Sequence, residues 1–199
     1  MKKYLYIVIG FLIWGAAFLI WEASFANKQS YISMEPPVNI DITTLTGVNG
    51  AVEQSLILNK YTLLLFGYTS CPDVCPTALI TIKRELKRLR ELGASLDNVQ
   101  VLFIGVDPDR DKVSELQKFL SFFDKKIIGL TASHAALGKF SQSLFTNYTR
   151  EDHGNHIDIT HSSRFYIINP YGQWIGSYKP PFIKDQISND FKAFIESMN

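Results

Sequence analysis

Two short apolar runs on either side of an amphipathic helix constrain the fold of this chain most strongly. The runs YTLLLFGY, residues 61–68, and VQVLFIGV, residues 99–106, have the length and composition of strands buried on both faces. Between them, leucine and isoleucine recur at three- and four-residue steps up to Gly93, with basic residues in the intervening positions. The pattern predicts a strand, a helix and a second strand, with the strands parallel and the crossover right-handed.

The remaining patterns extend this unit. Further helices are predicted at about residues 112–123 and 133–145. The β-prone runs 164–169 and 173–178 flank a turn sequence, which predicts a hairpin, and apolar spacing between residues 183 and 195 predicts a closing helix. A parallel pair, then an antiparallel hairpin, then a terminal helix is the order of a thioredoxin-like α/β fold, in which helices flank a central mixed sheet.

The N-terminus differs sharply in composition from the rest. Residues 4–21 carry no charge, and as a helix they would span roughly 27 Å, close to the hydrocarbon thickness of a bilayer. Lys2 and Lys3 before this run favour a cytoplasmic N-terminus. We expect one transmembrane anchor in residues 1–26, a polar linker in 27–37 and one domain in 38–199. The alternative is a signal peptide cleaved after Ser24-Phe25-Ala26.

Charge and cysteine content exclude some functions. A net charge of +1 over 199 residues provides no basic field for nucleic acid, so no nucleic-acid partner is expected. With only two cysteines, the chain is not a small scaffold held by several disulfides.

Those two cysteines, Cys71 and Cys75, lie in the sequence SCPDVCP where the first strand meets its helix. Amide groups and the macrodipole at a helix start stabilise a thiolate, so a lowered pKa is expected for one or both sulfurs. Their four-residue spacing in a helical turn puts both sulfurs on one face, where they can chelate one ion. The alternative is a structural disulfide or a pair of buried thiols, although such a short loop would stabilise the fold little.

Two thiolates require a further ligand, and three of the four histidines fall within the sequence HGNHIDITH just before the hairpin. His161 is the closest of them to the following strand, which should neighbour the first strand and so bring this loop beside the cysteines. A ligand set of two cysteines and one histidine suits Cu(I) and can hold Cu(II). A solvated loop histidine is the alternative for His161. His153 and His156 are expected to be solvated, and His134 to be structural or exposed.

An acidic stretch, DPDRD, follows the second predicted strand. Its position at the carboxyl edge of a parallel sheet would put Asp107 near the cysteine loop, beyond the ligands themselves. The alternative is a turn with a helix cap, for which Asp111 is the candidate.

Taken together, FGYTSCPDVCP, VDPDRD and DITHSSRFYIINPYG resemble in order and spacing the signature stretches of the Sco (SenC-type) copper proteins. The resemblance implies a thioredoxin-like domain that binds one Cu(I) or Cu(II) ion through Cys71, Cys75 and His161, with Asp107 nearby. It also implies a role in assembling the binuclear copper centre of cytochrome c oxidase subunit II. The family's acidic residue before the ligand histidine is here Thr160.

Two functions from different classes remain open. The first is a metallochaperone served by a copper donor or a thioredoxin-like reductant. The second is an extracytoplasmic thiol-disulfide oxidoreductase in which Cys71 and Cys75 are the redox pair and His161 is dispensable. A thiol peroxidase is a weaker third reading, because no polar pocket around one cysteine is recognisable. The expected location is a bacterial inner membrane with the domain in the periplasm, and the alternative is the mitochondrial inner membrane facing the intermembrane space.

Overall fold

The computed structural model describes residues 14–15, 30–146, 149–152, 157–160 and 162–197. Its strands are β1 (Tyr31–Asn39), β2 (Thr46–Gly47), β3 (Gly50–Ala51), β4 (Tyr61–Gly67), β5 (Val99–Gly105), β6 (Ile127–Leu130), β7 (Thr149–Asp152), β8 (Ile157–Thr160), β9 (Phe165–Ile168) and β10 (Gln173–Tyr178). Its longer helices are α1 (Val74–Glu91), α2 (Val113–Leu120), α3 (His134–Ser143) and α4 (Gln186–Glu196). The predicted helices, hairpin and closing helix are thereby confirmed to within a few residues.

Six of the strands form one mixed sheet in the order β1-β10-β9-β4-β5-β6. β4 and β5 are parallel from Tyr61 opposite Val99 to Gly67 opposite Gly105, which confirms the predicted strand-helix-strand unit. Alternate residues of β4 face opposite sides: Leu63 packs with α1, α2 and α4, whereas Leu64 packs with α3 and residues 40–57. Because both faces are covered, the central strands are apolar throughout.

The edge strand β1 differs from the sequence prediction. Residues 31–37 were assigned to the linker, but they belong to β1, which pairs antiparallel with β10. The pairing is irregular between Ser33 and Val38, where two prolines interrupt the strand. Proline cannot donate to a sheet ladder and is tolerated at such edges, which is why the segment resembled a tether.

The predicted membrane segment, residues 4–21, lies outside the described residues apart from Trp14 and Gly15. Within the described part of the chain, no helix is long and apolar enough to cross a membrane.

The sheet brings two loops to one edge. The amide of Val106 donates to the carbonyl of Gly67 at 2.9 Å, which joins the carboxyl ends of β4 and β5. β9 runs antiparallel to β4, with Tyr166 opposite Leu64. The chain therefore enters β9 at the edge where β4 leads into the cysteine loop.

Candidate metal centre

The two cysteines occupy different positions at this edge. Cys71 lies in the turn after β4, and Cys75 is the second residue of α1. Both are free thiols, and their relative exposures are 8% and 2%. The expectation that both lie in one helical turn is therefore only partly met, because α1 begins after Cys71.

The start of α1 is directed at the first sulfur. The amide of Cys75 donates to Sγ of Cys71 at 3.4 Å, whereas Asp73, the residue that precedes the helix, makes no capping bond with its side chain. Burial alone would raise the pKa of Cys71, but hydrogen bonds from Cys75, from the Asp73 amide and from the Tyr68 hydroxyl outweigh it and lower that pKa. The direction of this pKa shift is the one predicted for a sulfur at a helix start.

The second thiol has the opposite tendency. Burial raises the pKa of Cys75 to about 12, and the neighbouring negative charges of Cys71 and Asp111 act in the same direction. The two sulfurs are hydrogen-bonded to each other, so a proton held by Cys75 stabilises the thiolate of Cys71. The two sulfurs therefore differ in acidity, with the pKa of Cys71 lowered and that of Cys75 raised.

Gly67, the last residue of β4, allows this close packing. A Cβ added there would lie 3.0 Å from the Cys75 sulfur and 2.6 Å from Cζ of Phe103. Only glycine fits without displacing one of them.

Asp111 fixes the cysteine loop from the neighbouring strand connection. Its buried carboxylate accepts hydrogen bonds from the amide of Thr69, at 3.1 and 3.2 Å, and from the Thr69 hydroxyl. The assignment of Asp111 as a helix cap is wrong, because α2 follows Lys112 and has no side-chain cap. The carboxylate points back to the sheet edge because its hydrogen-bond donors lie in the cysteine loop.

Asp107, the predicted neighbour of the metal, is fully buried just beyond the end of β5. One carboxylate oxygen pairs with Arg110, while Oδ1 has no hydrogen-bond partner within the described structure. Asp107 is close enough to Asp111 to raise the pKa of that carboxyl, although burial is the larger cause.

Of the four histidines, His134 lies within the described residues. His161, His153 and His156 lie outside the described residues. His134 is the first residue of α3 and contacts Asp109 at 3.2 Å with its ring nitrogen, in agreement with a structural or exposed role. In the part of the chain that the structure describes, no group of three Cys, His, Asp or Glu side chains could hold a metal ion.

Comparison with known proteins gives one consistent family. The SCO1/SenC family matches residues 41–196. The mitochondrial SCO2 homologue of Danio rerio is 33% identical over 145 residues, which cover 69% of this chain and 51% of that protein. This chain thus spans about half the length of that relative.

The similar solved structures include several with copper bound. Arabidopsis thaliana ScoI with copper bound has a TM-score of 0.68 at 27% identity, covering 81% of this chain and 97% of the solved one. Bradyrhizobium japonicum ScoI with copper bound has a TM-score of 0.66 at 29% identity, covering 79% and 97%. Both similarities agree with the thioredoxin-like fold predicted from the order of elements.

Proposed function

Because the chain belongs to the SCO1/SenC family, we propose that it is a copper-binding metallochaperone. It delivers one copper ion to, or prepares the cysteines of, the binuclear copper centre of cytochrome c oxidase subunit II. The observation that carries the proposal is the pair of free sulfurs, hydrogen-bonded to each other, with a helix amide donating to Cys71. Two adjacent soft donors of this kind favour Cu(I) over harder ions.

The proposed ligands are Cys71, Cys75 and His161. Chain connectivity supports the third ligand. Ser163 lines the same groove as Asp73 and Val74 beside the cysteine loop, and two residues of chain span at most about 7 Å. This connection is the reason for proposing His161 as the third ligand.

Asp107 is proposed to act near the ion without binding it. Its carboxylate is buried at the same edge, and its Oδ1, which has no hydrogen-bond partner among the described residues, leaves one acceptor for a neighbouring group. Such charge around a site tunes ligand orientation and metal affinity.

Copper binding requires the release of a proton, mainly from the Cys75 thiol. The pKa of Cys71 is lowered, whereas the pKa of Cys75 is raised to about 12. Since a metal binds thiolates, copper uptake near neutral pH must displace the Cys75 proton. Acidification should therefore favour copper release.

The proposed location is a bacterial inner membrane, crossed once by the N-terminal segment, with the domain in the periplasm. The mitochondrial inner membrane is the alternative. A copper donor protein or a thioredoxin-like reductant is expected to supply copper or reduce the cysteines there.

The different properties of the two sulfurs favour a second candidate, a thiol-disulfide oxidoreductase. The Cys71 thiolate would attack a partner disulfide and release one partner thiolate, and Cys75, once deprotonated, would then attack the mixed disulfide and release the other. The partner would be reduced and the Cys71–Cys75 pair oxidised. This reaction needs no histidine ligand.

Copper titration of the full chain under reducing, anaerobic conditions distinguishes the candidates. We expect one equivalent of tightly bound copper, which is lost or severely weakened in both Cys71→Ser and Cys75→Ser. The copper-loaded chain should then transfer copper to the apo copper domain of subunit II. Absence of bound copper, together with rapid reduction of a disulfide substrate, would instead support the oxidoreductase.

A further inference from the structure

A groove of about 370 Å³ begins beside the cysteine loop and follows α1 away from it. Its helical side is formed by residues that recur at three- and four-residue steps and so share one helix face. These residues are Val74, Thr77, Ala78, Thr81 and Arg84. The opposite side is formed by Ser163 and residues 180–182.

The groove has the dimensions of an extended peptide. At 1.5 Å per helical residue, Val74 and Arg84 are about 15 Å apart along the axis, a length that four or five extended residues span. Two of the residues on its helical side, Ala78 and Thr81, are buried. Phe182 on the other side is stacked on Phe165, with ring centroids 4.2 Å apart.

The two ends of the groove carry opposite charges. Asp73 lies at the end near the cysteines, and Arg84 lies at the far end with 45% of its side chain exposed. Arg84 pairs with Glu85 at 3.2 Å, but the Glu85 carboxylate also accepts hydrogen bonds from Asp185 and Ser188. Arg84 can therefore bind a ligand carboxylate without leaving Glu85 unsatisfied.

Positive charge also flanks the other side of the groove. The exposed residues Lys179 and Lys184 stand on either side of residues 180–182, which line it. Such a surface attracts an acidic partner, and Asp73 repels carboxylates from the cysteine end.

We propose that this groove docks an extended, acidic segment of the protein that receives copper. The segment's metal-accepting thiols would lie beside Cys71, and a carboxylate about four residues away would bind Arg84. The proposal rests on the copper-delivery function and specifies the partner's chemistry. Docking in this direction would present the acceptor thiols to the site and exclude partners that lack the carboxylate.

The test compares matched variants of the full, copper-loaded chain, with the apo copper domain of cytochrome c oxidase subunit II as the probe. Arg84→Gln should weaken the complex about tenfold. Lys87→Gln, which removes the same charge from an exposed position of α1 outside the groove, should change it less than about twofold. Val74→Ser and Ile80→Ser are a second matched pair, in which an apolar side chain is replaced. Both residues are exposed on α1 but only Val74 lines the groove, so Val74→Ser should weaken the complex more than Ile80→Ser.

Copper stoichiometry is measured on every variant and should remain at the parent's value. The groove proposal would be overturned if the two variants of each pair weakened the complex equally, or if no variant weakened it. It would also be overturned if the parent formed no complex. In each case copper binding would remain intact. A parent that binds no copper would instead contradict the proposed function. If Arg84→Gln changes only self-association in sedimentation, the groove accepts a second copy and the proposal is wrong.

Discussion

The amide of Cys75 donates to the sulfur of Cys71 at 3.4 Å, so the helix that carries the second cysteine stabilises the thiolate of the first. The pKa of Cys71 is lowered by this and neighbouring hydrogen bonds, in spite of burial, whereas burial raises the pKa of Cys75 to about 12. The two thiols of the reduced chain should therefore differ in reactivity.

We predict that iodoacetamide modifies Cys71 first. The rate of Cys71 alkylation should reach half of its maximum at a pH below 9.0, the ordinary thiol pKa. Cys75 should remain largely protonated until near pH 12. Mass spectrometry of singly modified chains over a pH series, with Cys71→Ser and Cys75→Ser as references, measures both rates. Equal rates at neutral pH would contradict the assignment.

The Asp111–Thr69 contact should stabilise the cysteine loop. Asp111→Ala leaves the amide and hydroxyl of Thr69 without their buried acceptor, so the free energy of unfolding should fall by about 1–3 kcal/mol. Asp111→Asn retains an acceptor and should cost less. Asp109→Ala is the control, because Asp109 is exposed and should change stability by less than about 0.5 kcal/mol. Urea unfolding measures all three, and equal losses for Ala at both positions would refute the role of Asp111.

Glu85 joins α1 to the start of α4. Its carboxylate, 2% exposed, accepts hydrogen bonds from the amides of Asp185 and Ser188 and from the Ser188 hydroxyl. Glu85→Ala should therefore lower the free energy of unfolding by about 3 kcal/mol. Glu91→Ala removes an exposed carboxylate from the same helix and should cost less than about 0.5 kcal/mol. A similar loss in both variants, measured by urea unfolding, would show that burial of Glu85 is unimportant.

Glycine positions offer a steric test of the packing around Cys75. Gly67→Ala should destabilise the fold by about 1–3 kcal/mol, because the new methyl group would overlap Phe103 and press on the Cys75 sulfur. Gly138→Ala in α3 meets no atom within 4 Å and should stabilise the chain by about 0.5–1 kcal/mol. Thermal unfolding compares the two, and a neutral Gly67→Ala would mean that β4 does not limit the space at the sulfur.

The sequence predicted those parts of the fold in which hydrophobic periodicity follows from burial. β4 and β5 are buried on both faces and appear as continuous apolar runs. β1 was missed because an edge strand with two prolines has no such pattern. The short strand β6 has only four residues, too few to establish a period.

The site was predicted from residue types and motif spacing, so its main elements were recognised and its supporting contacts were not. Cys71 and Cys75 were identified directly. Thr69 donates its hydrogen bonds to Asp111 across 42 positions of sequence, and no local pattern distinguishes this role of Asp111 from a helix cap. The same is true of Glu85, whose hydrogen-bond donors lie about a hundred residues away.

The most direct test of the account is the copper affinity of His161→Ala beside that of His134→Ala, in the full reduced chain. His134 is the control because it contacts Asp109 on the surface and has no part in the proposed ligand set. Competition titration should show a severe loss of copper affinity in His161→Ala and the parent's affinity in His134→Ala. Copper bound by His161→Ala as tightly as by the parent would contradict a site built from Cys71, Cys75 and His161.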